Sequence, residues 1–248
     1  MVFILSTLLS TVTSAATLSD NFNGGLSPAL WDVGHFDAAG VPWTIEAPDA
    51  NGQLRMFKQS DLDMSNLNVY AIIDSRFVFD GDFLASVGFN LVNFPLTDNI
   101  GWNEAMLRVY GTTNGNNVSS LRLTDNASSY TEGFANLSPY VLGELMVAPL
   151  NGRLFVSRVG ENLSAFIDSG SGPVLLGSIS SPELLGPMKV QLCAAQIPYS
   201  NTRPTTALDV RFDDFVVTAD TIVPEPSTLV LLGMGAFGLL AYAWRRRK

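Results

Sequence analysis

Apolar and polar residues alternate with period two along most of the central chain, which is the signature of half-buried strands rather than helices. Phe83, Ala85, Val87, Phe89 and Leu91 fall on one face of a run whose other face carries Ser86, Gly88 and Asn90. Before it, Val69, Ala71, Ile73, Phe77 and Phe79 share a second such face, and Asp80-Gly81-Asp82 between the two runs predicts a tight hairpin. A second hairpin is predicted from 153–159 and 163–168 around Gly160-Glu161-Asn162, ended by the Gly/Ser/Pro cluster at 169–173. Further strands are expected at 53–57, 104–110, 118–124, 143–148, 174–179 and 187–194. In the last strand Leu208, Val210 and Phe212 share a face that Phe215 and Val217 continue after a one-residue shift, so a β-bulge is expected at Asp213-Asp214. No segment of this region sustains a capped period of 3.6, and turn residues recur at short spacing, as in an all-β sandwich.

The two ends depart from this pattern. Residues 1–16 are apolar and close on Ser14-Ala15-Ala16, a small-x-small site expected to end a signal peptide, with Thr13-Ser14-Ala15 as an alternative; no Lys or Arg precedes the apolar part. Residues 223–248 open with Val223-Pro224-Glu225-Pro226-Ser227. Seventeen uncharged residues follow, then Arg245-Arg246-Arg247-Lys248. As a helix that stretch spans about 25 Å, the short limit for a bilayer core. Its basic end is expected to stay in the cytoplasm, which places the remainder of the chain outside. The expected organisation is therefore a signal peptide (1–16), a β-sandwich (17–222) and a membrane-inserting tail (223–248).

The tail resembles the PEP-CTERM signal of exported bacterial proteins. That resemblance implies that Pro224, Glu225 and Pro226 are the recognition motif of an exosortase-type membrane protease. It further implies that the protein, once cut, passes to the cell surface or extracellular matrix of a bacterium that makes exopolysaccharide or biofilm. Three stretches of the sandwich resemble the concanavalin A-like, laminin-G-like jelly-roll superfamily: 18–27 with Trp31 nearby, 76–83 and 210–217. In that superfamily the first and last strands lie side by side, which implies Asn21-Phe22 beside Asp214-Phe215. Fold alone carries no activity.

Composition narrows the chemistry. Four of the fourteen cations are the last four residues, which leaves 10 basic and 22 acidic residues in 17–222. A domain near −12 offers no patch for nucleic acid phosphates. One cysteine, Cys193, and one histidine, His35, exclude a disulfide within the chain and a His- or Cys-rich metal site. Cys193 lies in an apolar run and reads as a small buried hydrophobe.

Within the superfamily, the enzyme reading is glycoside hydrolysis by paired carboxylates. Its retaining members place these on one strand as Glu-x-Asp-x-x-Glu. Here Glu46, Glu104, Glu132, Glu144, Glu161 and Glu183 each lack an Asp two residues on, so no catalytic residue is assigned. Asp61-Leu62-Asp63 and Asp80-Gly81-Asp82 read as solvated loop carboxylates. If the terminal strands pair, Asp20 and Asp213 approach, and either a structural Ca²⁺ or a solvated bulge satisfies them. Trp102, in the polar loop 98–103, is the ring best placed to stack on a sugar, against the alternative of core packing. No cofactor is expected beyond that Ca²⁺. The expected function is an exported, non-catalytic β-sandwich that interacts with extracellular polysaccharide or is structural. The alternatives are a divergent glycan-active hydrolase and an adhesin without a small-molecule ligand.

Overall fold

The computed structural model describes residues 15–37, 43–61, 68–97, 100–125, 128–138, 140–146, 148–199 and 204–224. The expected signal peptide up to residue 14 and the tail from Glu225 onward lie outside them. Among the described residues no helix is long and apolar enough to cross a membrane.

The strands are β1 (Ala16–Asp20), β2 (Trp31–Asp37), β3 (Trp43–Glu46), β4 (Leu54–Lys58), β5 (Val69–Ser75), β6 (Phe77–Asn93), β7 (Gly101–Gly111) and β8 (Asn117–Thr124). They continue with β9 (Ser129–Ala135), β10 (Val141–Leu145), β11 (Asn151–Val159), β12 (Asn162–Asp168), β13 (Val174–Ser180), β14 (Met188–Pro198) and β15 (Leu208–Pro224). One 3₁₀ turn, Pro182–Leu184, is capped by Ser181. Antiparallel pairing builds two layers. The first runs β10–β9–β8–β7–β14–β5–β2. The second runs β13–β12–β11–β6–β15, with β4 and β1 both on the far edge of β15 and β3 beyond β4. A single ladder contact, Met188 opposite Phe79, joins the layers. This is the expected all-β jelly roll.

The core lies between the layers and is filled by the predicted faces. Phe83, Ala85, Val87, Phe89 and Leu91 are all buried while Leu84 is exposed. The hairpin at Gly160 forms as expected, with Val159 opposite Asn162 and Gly160 at φ +60°. The expected bulge in β15 is present too: the register slips between Asp213 and Val216, and Asp214 has φ +47°. The terminal strands pair, with Ala16 opposite Ala219 and Asp20 opposite Phe215. Beside this seam Trp31 packs edge-on to Phe215 at 5.0 Å and to Phe77 at 6.1 Å.

The hairpin expected at Asp80-Gly81-Asp82 does not form. The chain runs straight through as β6, and the break falls at Arg76, between β5 in one layer and β6 in the other. Gly81, at φ +78°, absorbs one extra residue against β15 as a bulge. Arg158 holds the bulge, donating from Nε to the Gly81 carbonyl at 2.7 Å and from Nη2 to Asp80 at 2.7 Å. A glycine in the left-handed region serves a bulge as readily as a turn, so the local signal does not separate the two. The last strand also extends two residues past the expected boundary at 222, so Val223 and Pro224 belong to the sheet.

Candidate functional site

The outer face of the first layer carries buried apolar side chains rather than an ordinary solvent-facing surface. Register lines its side chains up in rows across the strands. One row runs Tyr70, Ala195, Glu104, Leu123, Tyr130; the next runs Ile72, Cys193, Met106, Leu121, Glu132, Glu144. Period two along each strand keeps all of these on one side. Met106, Leu121, Leu123, Cys193 and Ala195 are buried here as a second apolar cluster, separate from the core between the layers. Met106, Leu121 and Leu123 of this cluster form the floor of a cleft of about 380 Å³ whose walls are Trp102, Tyr199, Tyr130, Phe134, Glu104, Glu132 and Arg108.

At one end of this cleft the Trp102 and Tyr199 rings lie 5.3 Å apart at 50°, and the Trp102 indole N–H donates to Glu104 Oε1 at 2.6 Å. At the other end, Arg108 donates to Gln191 Oε1, and Gln191 Nε2 and the Tyr110 hydroxyl both donate to Asp74, each at 3.0 Å. Burial pushes the Glu104 carboxyl up, opposed by the Trp102 N–H and by Arg108. Glu132 is raised to about 7, first by burial and then by the charges of Glu144 and Glu104. Tyr130 is raised to about 12 by burial and by Glu132. Burial likewise raises the Cys193 thiol, an inert member of the apolar cluster beneath this face. The cleft thus holds one carboxyl, Glu132, that exchanges its proton near neutrality and a second, Glu104, that burial raises, beside flat aromatic faces.

Of the residues singled out from sequence, Trp102 lies in this cleft, but on β7 opposite Ile197 rather than in the expected loop 98–103, of which residues 98 and 99 lie outside the described residues. Asp20 and Asp213 are elsewhere, at the terminal seam. Both Asp20 oxygens are engaged, Oδ1 by the Phe22 N–H and Oδ2 by the Trp31 indole N–H, each at 2.8 Å. Asp213 accepts from the Asp214 N–H at 2.8 Å. The residues present therefore satisfy the Asp20 carboxylate without a cation, and no described group of three or more His, Cys, Asp or Glu gathers to hold a metal. Pro224 ends β15, and Glu225 and Pro226 lie outside the described residues.

Sequence reasoning missed Glu104, Glu132 and Glu144 as a group. The same-strand pattern anchored at Glu104 meets Met106 where Asp is needed and Val109, a core residue, where the second Glu is needed. The second carboxyl comes instead from β9, two strands away and one row along. That is a backbone separation of about 12 Å. Only the register of β7, β8 and β9 reveals it.

Residues 223–248 match the PEP-CTERM protein-sorting motif. The motif implies export and processing by exosortase, a membrane protease. No curated protein matches the sequence. Solved structures share the fold. A structure described with endo-acting O-glycanases of human gut microbiota is 12% identical, covers 82% of this chain and 98% of its own, and superposes with a TM-score of 0.58. A β-1,3-1,4-glucanase (lichenase) from a mouse hindgut metagenome is 15% identical over 83% and 99%, at 0.56. An alginate lyase from Klebsiella pneumoniae is 6% identical over 81% and 99%, at 0.55. At these identities the likeness is one of fold. The chain carries a PEP-CTERM sorting motif on a concanavalin A-like jelly roll.

Proposed function

We propose that this is an exported protein, released at the cell surface or into the extracellular matrix, whose concave cleft binds a polysaccharide chain without cleaving it. The observation that carries the reading is the Trp102–Tyr199 pair standing over an apolar floor beside hydrogen-bonding carboxyls. Flat rings receive the apolar faces of sugar rings, and a few polar groups at the rim fix their hydroxyls. The volume suits a few sugar units, near the lower end of the usual range of about 300–1,000 Å³ for small-ligand sites. Relatives in fold are named for action on glycans, which supports the ligand class. The absence of a same-strand carboxylate pair at Glu104 supports binding over hydrolysis.

A second reading has its own support. Glu104 and Glu132 share the cleft, and Glu132 titrates near 7, where a general acid works best. Affinity electrophoresis through gels holding β-glucan, alginate or mucin, with reducing-end release measured on the same samples, tests both. Binding to one polymer, no new reducing ends, and loss of retardation in Trp102→Ala are expected. New reducing ends that vanish in Glu132→Gln move the assignment to the hydrolase. No retardation by any polymer and no cleavage leaves the adhesin.

A further inference from the structure

We infer that the sorting motif begins within the sandwich, at Val223 and Pro224, so that the membrane protease acts only after the last pairs of β15 have opened. The inference rests on reading 223–248 as a sorting motif and adds where that motif is held. Thr221, Ile222, Val223 and Pro224 lie opposite Asp80, Phe79, Val78 and Phe77. The motif therefore starts inside a ladder rather than on a linker. Ile222 also packs against the core. A protease holds its substrate as an extended strand and uses the backbone N–H and C=O groups that β6 already occupies. Proline at a strand end donates nothing to a ladder, so Pro224 marks where this hold is weakest.

The tether leaves little alternative. Three residues, Glu225, Pro226 and Ser227, separate Pro224 from the uncharged stretch that begins at Thr228. Fully extended, that is about 14 Å of reach. The uncut domain therefore stands on the membrane by the end of the sandwich that carries Phe77 and Pro224. Gly111 and Met188 share that end, since Met188 faces both Gly111 and Phe79. Trp102 lies nine residues back along β7, about 30 Å from the membrane side. The aromatic end of the cleft points away from the lipid before cleavage.

A cross-strand lock tests this. Val78 and Val223 are direct partners, within the reach of a disulfide in an exported chain. In cells that carry the protease, full-length Val78→Cys/Val223→Cys with an epitope after Lys248 is expected to keep its tail once the disulfide has formed. Each single-cysteine variant loses it as wild type does. A locked protein cut as fast as the single variants overturns the inference, because the protease then docks on the free edge of β15. Wild type that is never cut removes the sorting reading itself, and the inference with it. As a check that does not depend on the lock, six Gly/Ser residues inserted between Val223 and Pro224 are expected to speed cleavage. Unchanged or slower cleavage of that variant overturns the inference.

Discussion

Glu132 gives the sharpest physical test of the cleft. Its carboxyl sits on β9 opposite Glu144 on β10, and no described Lys or Arg forms an ion pair with either. Burial and the neighbouring carboxylates raise it from 4.5 to about 7. Unscreened, that displacement is worth about 3.4 kcal/mol. The side chain is partly open to water, which reduces the figure to about 1–2 kcal/mol. The folded state binds this proton more tightly than the unfolded chain does. The stabilisation is therefore complete below about pH 4.5 and is lost as the pH rises through about 7. Glu132→Gln removes the charge and keeps the shape. It is expected to match wild type at pH 4 and to exceed it at pH 8 by about 1–2 kcal/mol, or about 2–8 °C in Tm for a domain of this size. Urea denaturation at the two pH values measures the difference, and carboxyl ¹³C shifts across pH 3–9 locate the midpoint. A Glu132 midpoint near 4.5, or a Gln variant no more stable at pH 8, refutes the reasoning.

Other perturbations follow from the same geometry. Arg122 is fully buried and donates to the carbonyls of Pro149 at 3.1 Å, Leu123 at 3.2 Å and Tyr130, and to Ser129 Oγ at 3.1 Å. Burial lowers it to about 10, so it stays charged at neutral pH. Arg122→Met leaves those acceptors unpaired and is expected to cost about 2–4 kcal/mol in urea unfolding, at about 1–3 kcal/mol for each orphaned group less the burial cost of the charge. Asp20→Ala strips the Trp31 indole and the Phe22 N–H of their acceptor and is expected to cost about 1–3 kcal/mol, with Trp31 fluorescence shifting to the red. Gly143→Ala would place a β-carbon 1.8 Å from the Leu176 carbonyl oxygen. Expected are a loss of more than about 3 kcal/mol and early amide exchange in β10 and β13. Wild-type stability in any of these three contradicts the contact from which it is derived.

Much of the sandwich was legible because burial on one face of a strand leaves a period-two imprint. The long face of β6, the β11–β12 hairpin and the bulge at Asp213-Asp214 all carry that imprint, and each is where the pattern puts it. β8 shows where the imprint fails. All eight of its residues are buried, with Leu121 and Leu123 toward the cleft and Ser120 and Arg122 toward the core. A strand covered on both sides has no polar face to mark its direction. The run at Asp80-Gly81-Asp82 fails for a different reason: turn and bulge require the same glycine conformation, and only the partner strand decides between them.

Most of the strands, the sandwich class and the address in residues 223–248 are legible in the amino-acid sequence, because each depends on neighbours within a few residues; β2 and β9, the strand that carries Glu132, are not among those expected. Tertiary structure alone decided the site. Glu104, Glu132 and Glu144 are far apart in the chain and matched no pattern. The stagger of β7 and β9 sets Glu104 and Glu132 on the cleft with Trp102 and Tyr199, and burial there raises both carboxyls. It also decided that the sorting motif begins inside β15, since whether a terminal segment hangs free or is stitched to β6 depends on a strand more than a hundred residues earlier.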